Sequence, residues 1–275
     1  MLDVRTATDF VSLTVDGPIG LIHFHRPPAN SYTKAFMDGL NAAIDHVRFD
    51  EAIGAAVLVS DLPGFFSAGA DIKAYRGQTQ QARAMTILHN QEILLKMERT
   101  PKPFIAAIAG HALGGGLEIA LATDFRFAAE GQYRIGLPEV MLGLLPGNGG
   151  TQRLPRLIGV SKATDLLLTG RAIDPTRALE LGMIDRLTPP DHLLEDALAF
   201  ARHLAHGPRT AIGEIKIAAK AGLETSLEGG LTLEREAIGR LFATADADEG
   251  MAAFVEKRTP AWNREQERPR AAPRP

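Results

Sequence analysis

The 275-residue chain has no cysteine. Disulfides, thiolate nucleophiles and cysteine-ligated metal sites are therefore excluded, although this alone assigns no compartment. Long apolar runs are also missing: no stretch approaches the ~18 uninterrupted apolar residues of a membrane-spanning helix. The opening MLDVRTATDF carries an early acid and no apolar core, so no secretory signal is expected. Charge of one sign is not in excess. Thirty basic against 33 acidic residues leave a net charge of -3, with an isoelectric point near 6.3, which provides no general attraction for nucleic acid or an anionic membrane. The eight histidines show no H-E-x-x-H or comparable spacing, so no metal site is expected. No repeat of 20 to 50 residues is visible. These absences leave a cytoplasmic protein as the expectation.

What is present is ordinary globular material, 45% hydrophobic and 23% charged, and long enough to bury a substantial core. FVSLTV and IGLIHFH, separated by Asp16, Gly17 and Pro18, read as a β-hairpin. Phe36, Leu40, Ile44 and Val47 then recur at helical spacing. GAAVLVS, PFIAAIAG, DFRFAA and YRIG read as further strands. Helical stretches lie between them, one from about Thr79 to Arg99 with Ile87, Ile93, Leu94 and Met97 available for packing, another at GGTQRLPRLIG. The alternation predicts an α/β or mixed core. From about Asp191 the pattern is helical throughout. Asp191 is placed to cap the first of these helices, and Asp246 with Glu249 is spaced as a capping box for the last. So many apolar helical faces in so few residues must pack back on the core or against another subunit. The Pro- and Arg-rich end has little to bury and is expected to be disordered.

One stretch, HALGGGLEIALATD (residues 111–124), demands explanation. Three glycines open a helix that glycine disfavours by about 1 kcal/mol per residue relative to alanine. Glu118 follows, entering an apolar run where a carboxylate needs a partner or a task. Two readings stand for the glycines: a tight strand-to-helix crossover, or a helix start whose bare N–H groups meet a developing anion. Neither G-x-G-x-x-G nor G-x-x-x-x-G-K is present, which weakens a nucleotide-phosphate loop. A second small-residue loop, FFSAGADIK (65–73), leaves the Gly69–Ala70 amide able to face outward. A third, GLPEVMLGLLPGNGGTQRLPR, places Glu139 after Pro138 and ends in a glycine-rich turn into a helix. Taken alone, either glutamate is equally readable as a capping or solvated acid.

In combination, SAGADIK, HALGGGLE and PGNGGTQRL, in this order and extending from ANS to FVEKR, resemble the enoyl-CoA hydratase/isomerase, or crotonase, family. The resemblance implies a mixed α/β spiral of repeated ββα units over residues 1–200, which carries an acyl-CoA site. It implies a helical oligomerisation region over 201–258, leaving 259–275 as the disordered tail, and a homotrimer or homohexamer. Ala70 and Gly115 would donate backbone N–H groups to an oxyanion, Glu118 and Glu139 would be the acid–base pair, and the Gly147 backbone would help hold water. Arg26, Ala68, Asp71, Ile72, Lys73 and Lys257 would lie along the CoA moiety, Lys257 often reaching across a subunit boundary. Coenzyme A would be part of the substrate, and no separate cofactor or metal is implied. His111 would be structural. The chain departs from the hydratase pattern after RP, where PPANSYT replaces the usual run ending NAL. That loop, with SDLPGFFSAGADI and RIGLPE, is similar to the Δ3,Δ2-enoyl-CoA isomerases, which use one base at the Glu139 position and lack the first glutamate. Hydration of trans-2-enoyl-CoA is thus the leading expectation and isomerisation the second. An RNA-binding role, known among relatives with a lysine-rich helix, is disfavoured because residues 79–99 carry only Arg83, Lys96 and Arg99 against Glu92 and Glu98.

Overall fold

The expected hairpin is the start of a larger sheet. A computed structural model of the protein describes residues 3–262. The chain runs β1 (Asp3–Ala7), β2 (Val11–Asp16), β3 (Ile19–Phe24), α1 (Lys34–Phe49), β4 (Ala55–Ser60), β5 (Phe65–Ser67), α2 (Ile72–Tyr75) and α3 (Gln80–Arg99). It continues with β6 (Phe104–Ile108), β7 (His111–Leu113), α4 (Gly115–Leu121), β8 (Phe125–Ala129), β9 (Ile135–Gly136) and a 3-10 turn (Glu139–Leu142). Next come α5 (Gly150–Ile158), α6 (Val160–Thr169), α7 (Pro175–Leu181) and β10 (Arg186–Thr188), and the C-terminal part holds α8 (Leu193–Ala205), α9 (Arg209–Gly222), α10 (Leu227–Leu241) and α11 (Ala245–Glu256). Strand β1 is an addition to the sequence expectation.

Seven strands form one sheet in the order β1-β2-β3-β4-β6-β8-β10, and β5-β7-β9 form a second. The first three strands are antiparallel neighbours, whereas β3 through β10 of the large sheet and all of the small sheet are parallel. Three times in succession the chain lays one strand in the large sheet and the next in the small one: β4 then β5, β6 then β7, β8 then β9. A helix or helical turn follows each pair, which is the ββα spiral.

The parallel strands are continuous apolar runs because both faces of the large sheet are buried. Ala56, Leu58, Phe104, Ala106 and Ala128 face the main core with α1 and α4. The alternate residues Ile19, Leu21, Val57, Ile105 and Phe127 face α8 through Leu193, Ala197, Ala201 and Ala205. The C-terminal helices divide accordingly. Helix α8 packs back on the sheet, crossing residue 200 without a break. Helix α9 is tied to the core by Lys216, whose Nζ donates to the carbonyls of Met97 and Lys102 at 3.1 and 2.8 Å and meets Asp124 at 2.8 Å. Helices α10 and α11 expose Leu227, Phe254 and Val255, and Phe242 is exposed just past the end of α10.

Two caps differ from expectation. Asp191 lies in a 3-10 turn, Pro190–His192, and His192 occupies the cap position of α8, because Pro189 and Pro190 bend the chain before the helix can begin. Helix α11 is capped by Thr244, whose side chain accepts from the Ala247 amide. Asp246 therefore sits inside the first turn, and Glu249 instead accepts from the Ala261 amide at 2.7 Å. Of the tail, residues 263–275 lie outside the described residues.

Candidate active site

Two loops meet above the small sheet. Residues 26–32 are fixed by Asn30, a fully buried side chain in the left-handed conformation (φ 50°). Its Nδ2 donates to the Ser60 hydroxyl at 2.8 Å and the Phe66 carbonyl at 3.2 Å, and its Oδ1 accepts from the Arg26 amide at 2.7 Å. So anchored, Tyr32 pairs with the 67–71 loop: its N–H donates to the Gly69 carbonyl at 2.8 Å and its carbonyl accepts from the Asp71 amide at 2.9 Å. These two bonds straddle Ala70, so the N–H of Ala70 is on the edge turned away from Tyr32. Gly115 N lies beside this loop, 3.1 Å from where a Cβ on Gly69 would sit. Neither the Ala70 nor the Gly115 amide donates to an acceptor among the described residues.

The three glycines have separate reasons. Gly114 has φ 53°, a conformation that disfavours any side chain, and a Cβ there would sit 2.9 Å from Oε1 of Glu139. A Cβ on Gly115 would fall 2.0 Å from the Tyr32 hydroxyl, and one on Gly116 would strike the Ser67 carbonyl at 2.4 Å. The crossover is therefore tight, and it leaves a bare amide at the helix start.

Glu118 is 1% exposed in the interior of α4. Its Oε1 accepts from the amides of Asn148 at 2.7 Å and Gly150 at 2.8 Å, at the turn into α5. That turn is itself braced. Arg153 Nη1 donates to the Asn148 carbonyl at 2.7 Å, and the same guanidinium makes a two-pronged pair with Glu98 at 3.0 and 2.6 Å. Gln91 from α3 donates to the Gly147 carbonyl at 2.7 Å. Glu139 opens the 3-10 turn opposite, and its Oε2 is buried without a hydrogen-bond partner among the described residues.

Burial dominates the electrostatics. It raises the Glu118 carboxyl from an ordinary 4.5 to about 7, against the two amides that favour its charge and with help from the nearby Glu139. Burial raises Glu139 as well. Burial thus disfavours the charged form of both carboxyls. The Tyr32 phenol is held well above its usual range, first by burial and then by the charge of Glu118.

Of the residues singled out in sequence, the structure brings together Ala70, Gly115, Glu118, Glu139 and Gly147. Arg26 and Asp71 pair with each other at 2.8 Å, and Arg26 also donates to the Ser31 carbonyl at 2.6 Å, so these two brace the loops. Asp71 additionally caps α2 through the Lys73 amide. Ala68 is half-buried beside them, while Ile72 and Lys73 are exposed on the adjoining rim. Lys257 is exposed at the left-handed cap of α11 and has no hydrogen bond or ion pair to the cluster among the described residues. His111 accepts from the Arg134 amide at 3.1 Å and stacks near Phe65, a structural position. Sequence reading passed over Tyr32 and Asn148, although the quoted PPANSYT and PGNGG stretches contain them. The Asn148 side chain donates to the Tyr32 hydroxyl at 2.6 Å while its backbone holds Glu118.

A ββα spiral with one buried and one half-buried carboxyl group beside two unspent backbone amides defines a protein of the crotonase fold. The model of the family described as Enoyl-CoA hydratase/isomerase matches residues 14–266, and the chain belongs to that family. It is 43% identical over 244 residues to a probable enoyl-CoA hydratase of Rhizobium meliloti, covering 88% of this chain and 93% of that one. It is 35% identical over 254 residues to a crotonyl-CoA hydratase of Syntrophomonas wolfei, covering 92% and 97%. An enoyl-CoA hydratase crystal structure from Geobacillus kaustophilus superposes with a TM-score of 0.93 at 42% identity, covering 96% of this chain and 99% of that one. Among the described residues no helix is long and apolar enough to cross a membrane, and no cluster of three potential metal ligands occurs.

Proposed function

We propose that the protein hydrates trans-2-enoyl-CoA thioesters to 3-hydroxyacyl-CoA. The thioester oxygen takes the amides of Ala70 and Gly115, so the negative charge that develops as the enolate forms meets fixed donors, each worth ~3–4 kcal/mol in sites of this kind. Glu118 removes a proton from water, whose oxygen bonds to C3 while the C2=C3 π pair moves toward the thioester carbonyl. Glu139 delivers a proton to C2, completing addition of H and OH across the double bond. Gly147, in the turn that also carries Asn148, helps to position the water. Ala68, Ile72 and Lys73 form the rim for the CoA moiety, with the Arg26–Asp71 pair holding the rim in place and Lys257 reaching a neighbouring subunit's nucleotide. The single observation that carries this reading is Glu118, a second acid, fully buried, that two amides pin in the site and that isomerisation does not need.

Isomerisation remains the competing reading, since one base reaching both C2 and C4 suffices for it and Glu139, whose Oε2 has no hydrogen-bond partner among the described residues, is such a base. The glutamates separate the two. Glu118→Gln is nearly isosteric but cannot take a proton, so it should cut hydration of crotonyl-CoA by ~10²–10⁴ and affect any 3-enoyl to 2-enoyl conversion far less. Glu139→Gln should damage both. Hydration by Glu118→Gln within a few-fold of wild type, with the fold intact by circular dichroism, would sink the two-glutamate assignment in favour of the one-base isomerase.

A further inference from the structure

The loop PPANSYT places a phenol beside the site. The Tyr32 side chain is 3% exposed. Its hydroxyl lies 2.0 Å from where a Cβ on Gly115 would be, hence against the glycine that carries one of the two unspent amides. The oxygen accepts from Asn148 Nδ2 at 2.6 Å, and Asn148 in turn holds Glu118 through its backbone amide at 2.7 Å. One residue therefore sets the phenol and the carboxylate relative to each other. A phenolic hydroxyl both donates and accepts. Here its accepting side is engaged by Asn148, and its hydrogen goes to no acceptor among the described residues. Other anchors make the position rigid: Asn30 fixes the loop before it, Gly69 and Asp71 bond its backbone, and its ring lies 6.5 Å from that of Phe36.

Building on the hydratase reading, we infer that Tyr32 is a catalytic residue whose hydroxyl donates a hydrogen bond to the oxygen at C3: the attacking water in hydration, and the 3-hydroxyl of the product. The alternative acceptor, the thioester oxygen, already has the Ala70 and Gly115 amides. The oxygen handled by Glu118 has only the Gly147 backbone assigned to it and no side-chain donor, and Tyr32 is linked to Glu118 through Asn148. The role is hydrogen-bond donation without proton transfer, since the phenol is held protonated far above neutral pH. The hydrogen bond orients the water lone pair toward C3 while Glu118 takes its proton.

The test compares Tyr32→Phe with wild type in two measurements on the full-length protein. In turnover, kcat for crotonyl-CoA hydration should fall about 10- to 100-fold with KM changed less than threefold. In binding, calorimetry with 3-hydroxybutyryl-CoA and with butyryl-CoA, which lacks the C3 oxygen, should show the variant losing affinity for the hydroxy ligand about tenfold and for the saturated one hardly at all. Asn148→Ala should reproduce the turnover loss in part, and the double variant should lose less than the product of the single effects, because both act through one hydroxyl. Equal weakening for both ligands would move the contact to the thioester oxygen and overturn the inference. So would a variant kcat within twofold of wild type, or a loss confined to melting temperature. If the wild type turned over no 2-enoyl-CoA, the hydratase reading itself would fall, an outcome distinct from a wild type that hydrates and a Tyr32→Phe variant that hydrates equally well.

Discussion

At the scale of single residues, Glu118 has a cost that can be measured apart from its chemistry. Its carboxyl ionises near 4.5 when exposed and near 7 in the fold. Below the first value both states are protonated and the residue is neutral to stability. Between the two values the folded chain keeps a proton that the unfolded chain has lost, so stability declines as pH rises, and above about pH 7 the penalty is complete, on the order of 3 kcal/mol. Glu118→Gln is neutral at every pH and carries no such penalty. Relative to wild type it should therefore be more stable at pH 8 than at pH 5, by urea unfolding at both values; an equal difference at both would mean that the carboxyl is not held protonated by burial. Glu118 was legible in the sequence because an acid in an apolar helix is conspicuous. Tyr32 was not, because a tyrosine in a loop signals nothing until the fold shows its hydroxyl against a glycine more than eighty positions away.

At the scale of elements, helix α8 shows how composition becomes spacing. Ala197, Ala201 and Ala205 recur every fourth residue and are fully buried against the large sheet. Small side chains let the helix approach strands whose own outward residues are bulky. Ala201→Leu would force three extra carbons into that layer, and overpacking of this kind costs about 1–3 kcal/mol. The melting temperature should fall by several degrees, while Leu194→Gln on the exposed side of the same helix should leave it nearly unchanged. If both behaved alike, the helix would not be part of the core. The two misplaced caps belong to this scale too. Asp191 and Asp246 are good capping residues by type, but a Pro-Pro bend displaces the first, and Thr244, two positions earlier than Asp246, takes the role of the second.

At the scale of the whole molecule, the apolar residues of α10 and α11 need a partner. Phe254 is 86% exposed, Leu227 80% and Val255 79%. Exposed apolar surface on this scale marks an interaction surface. We propose a homotrimer or a pair of stacked trimers, and light scattering should return one of those masses. Phe254→Glu combined with Val255→Lys should shift the population to smaller species without altering the far-ultraviolet circular dichroism. A wild-type protein that is monomeric at micromolar concentration would refute this, and with it the role of Lys257 across a subunit boundary.

The sequence by itself determined the alternation of strands and helices, since hydrophobic period and turn residues are local properties. It also marked Glu118 and the glycine run before it, because glycine runs and acids in apolar surroundings violate local preference and so stand out, whereas Glu139 stood out only through the resemblance to the family. Only the tertiary structure decided what those residues face. That Arg26 and Asp71 serve each other, that Asn148 holds both Glu118 and Tyr32, and that successive strands split between two sheets all depend on contacts between segments distant in the chain. Such contacts are set by the packing of the entire core, and no window of sequence contains both partners.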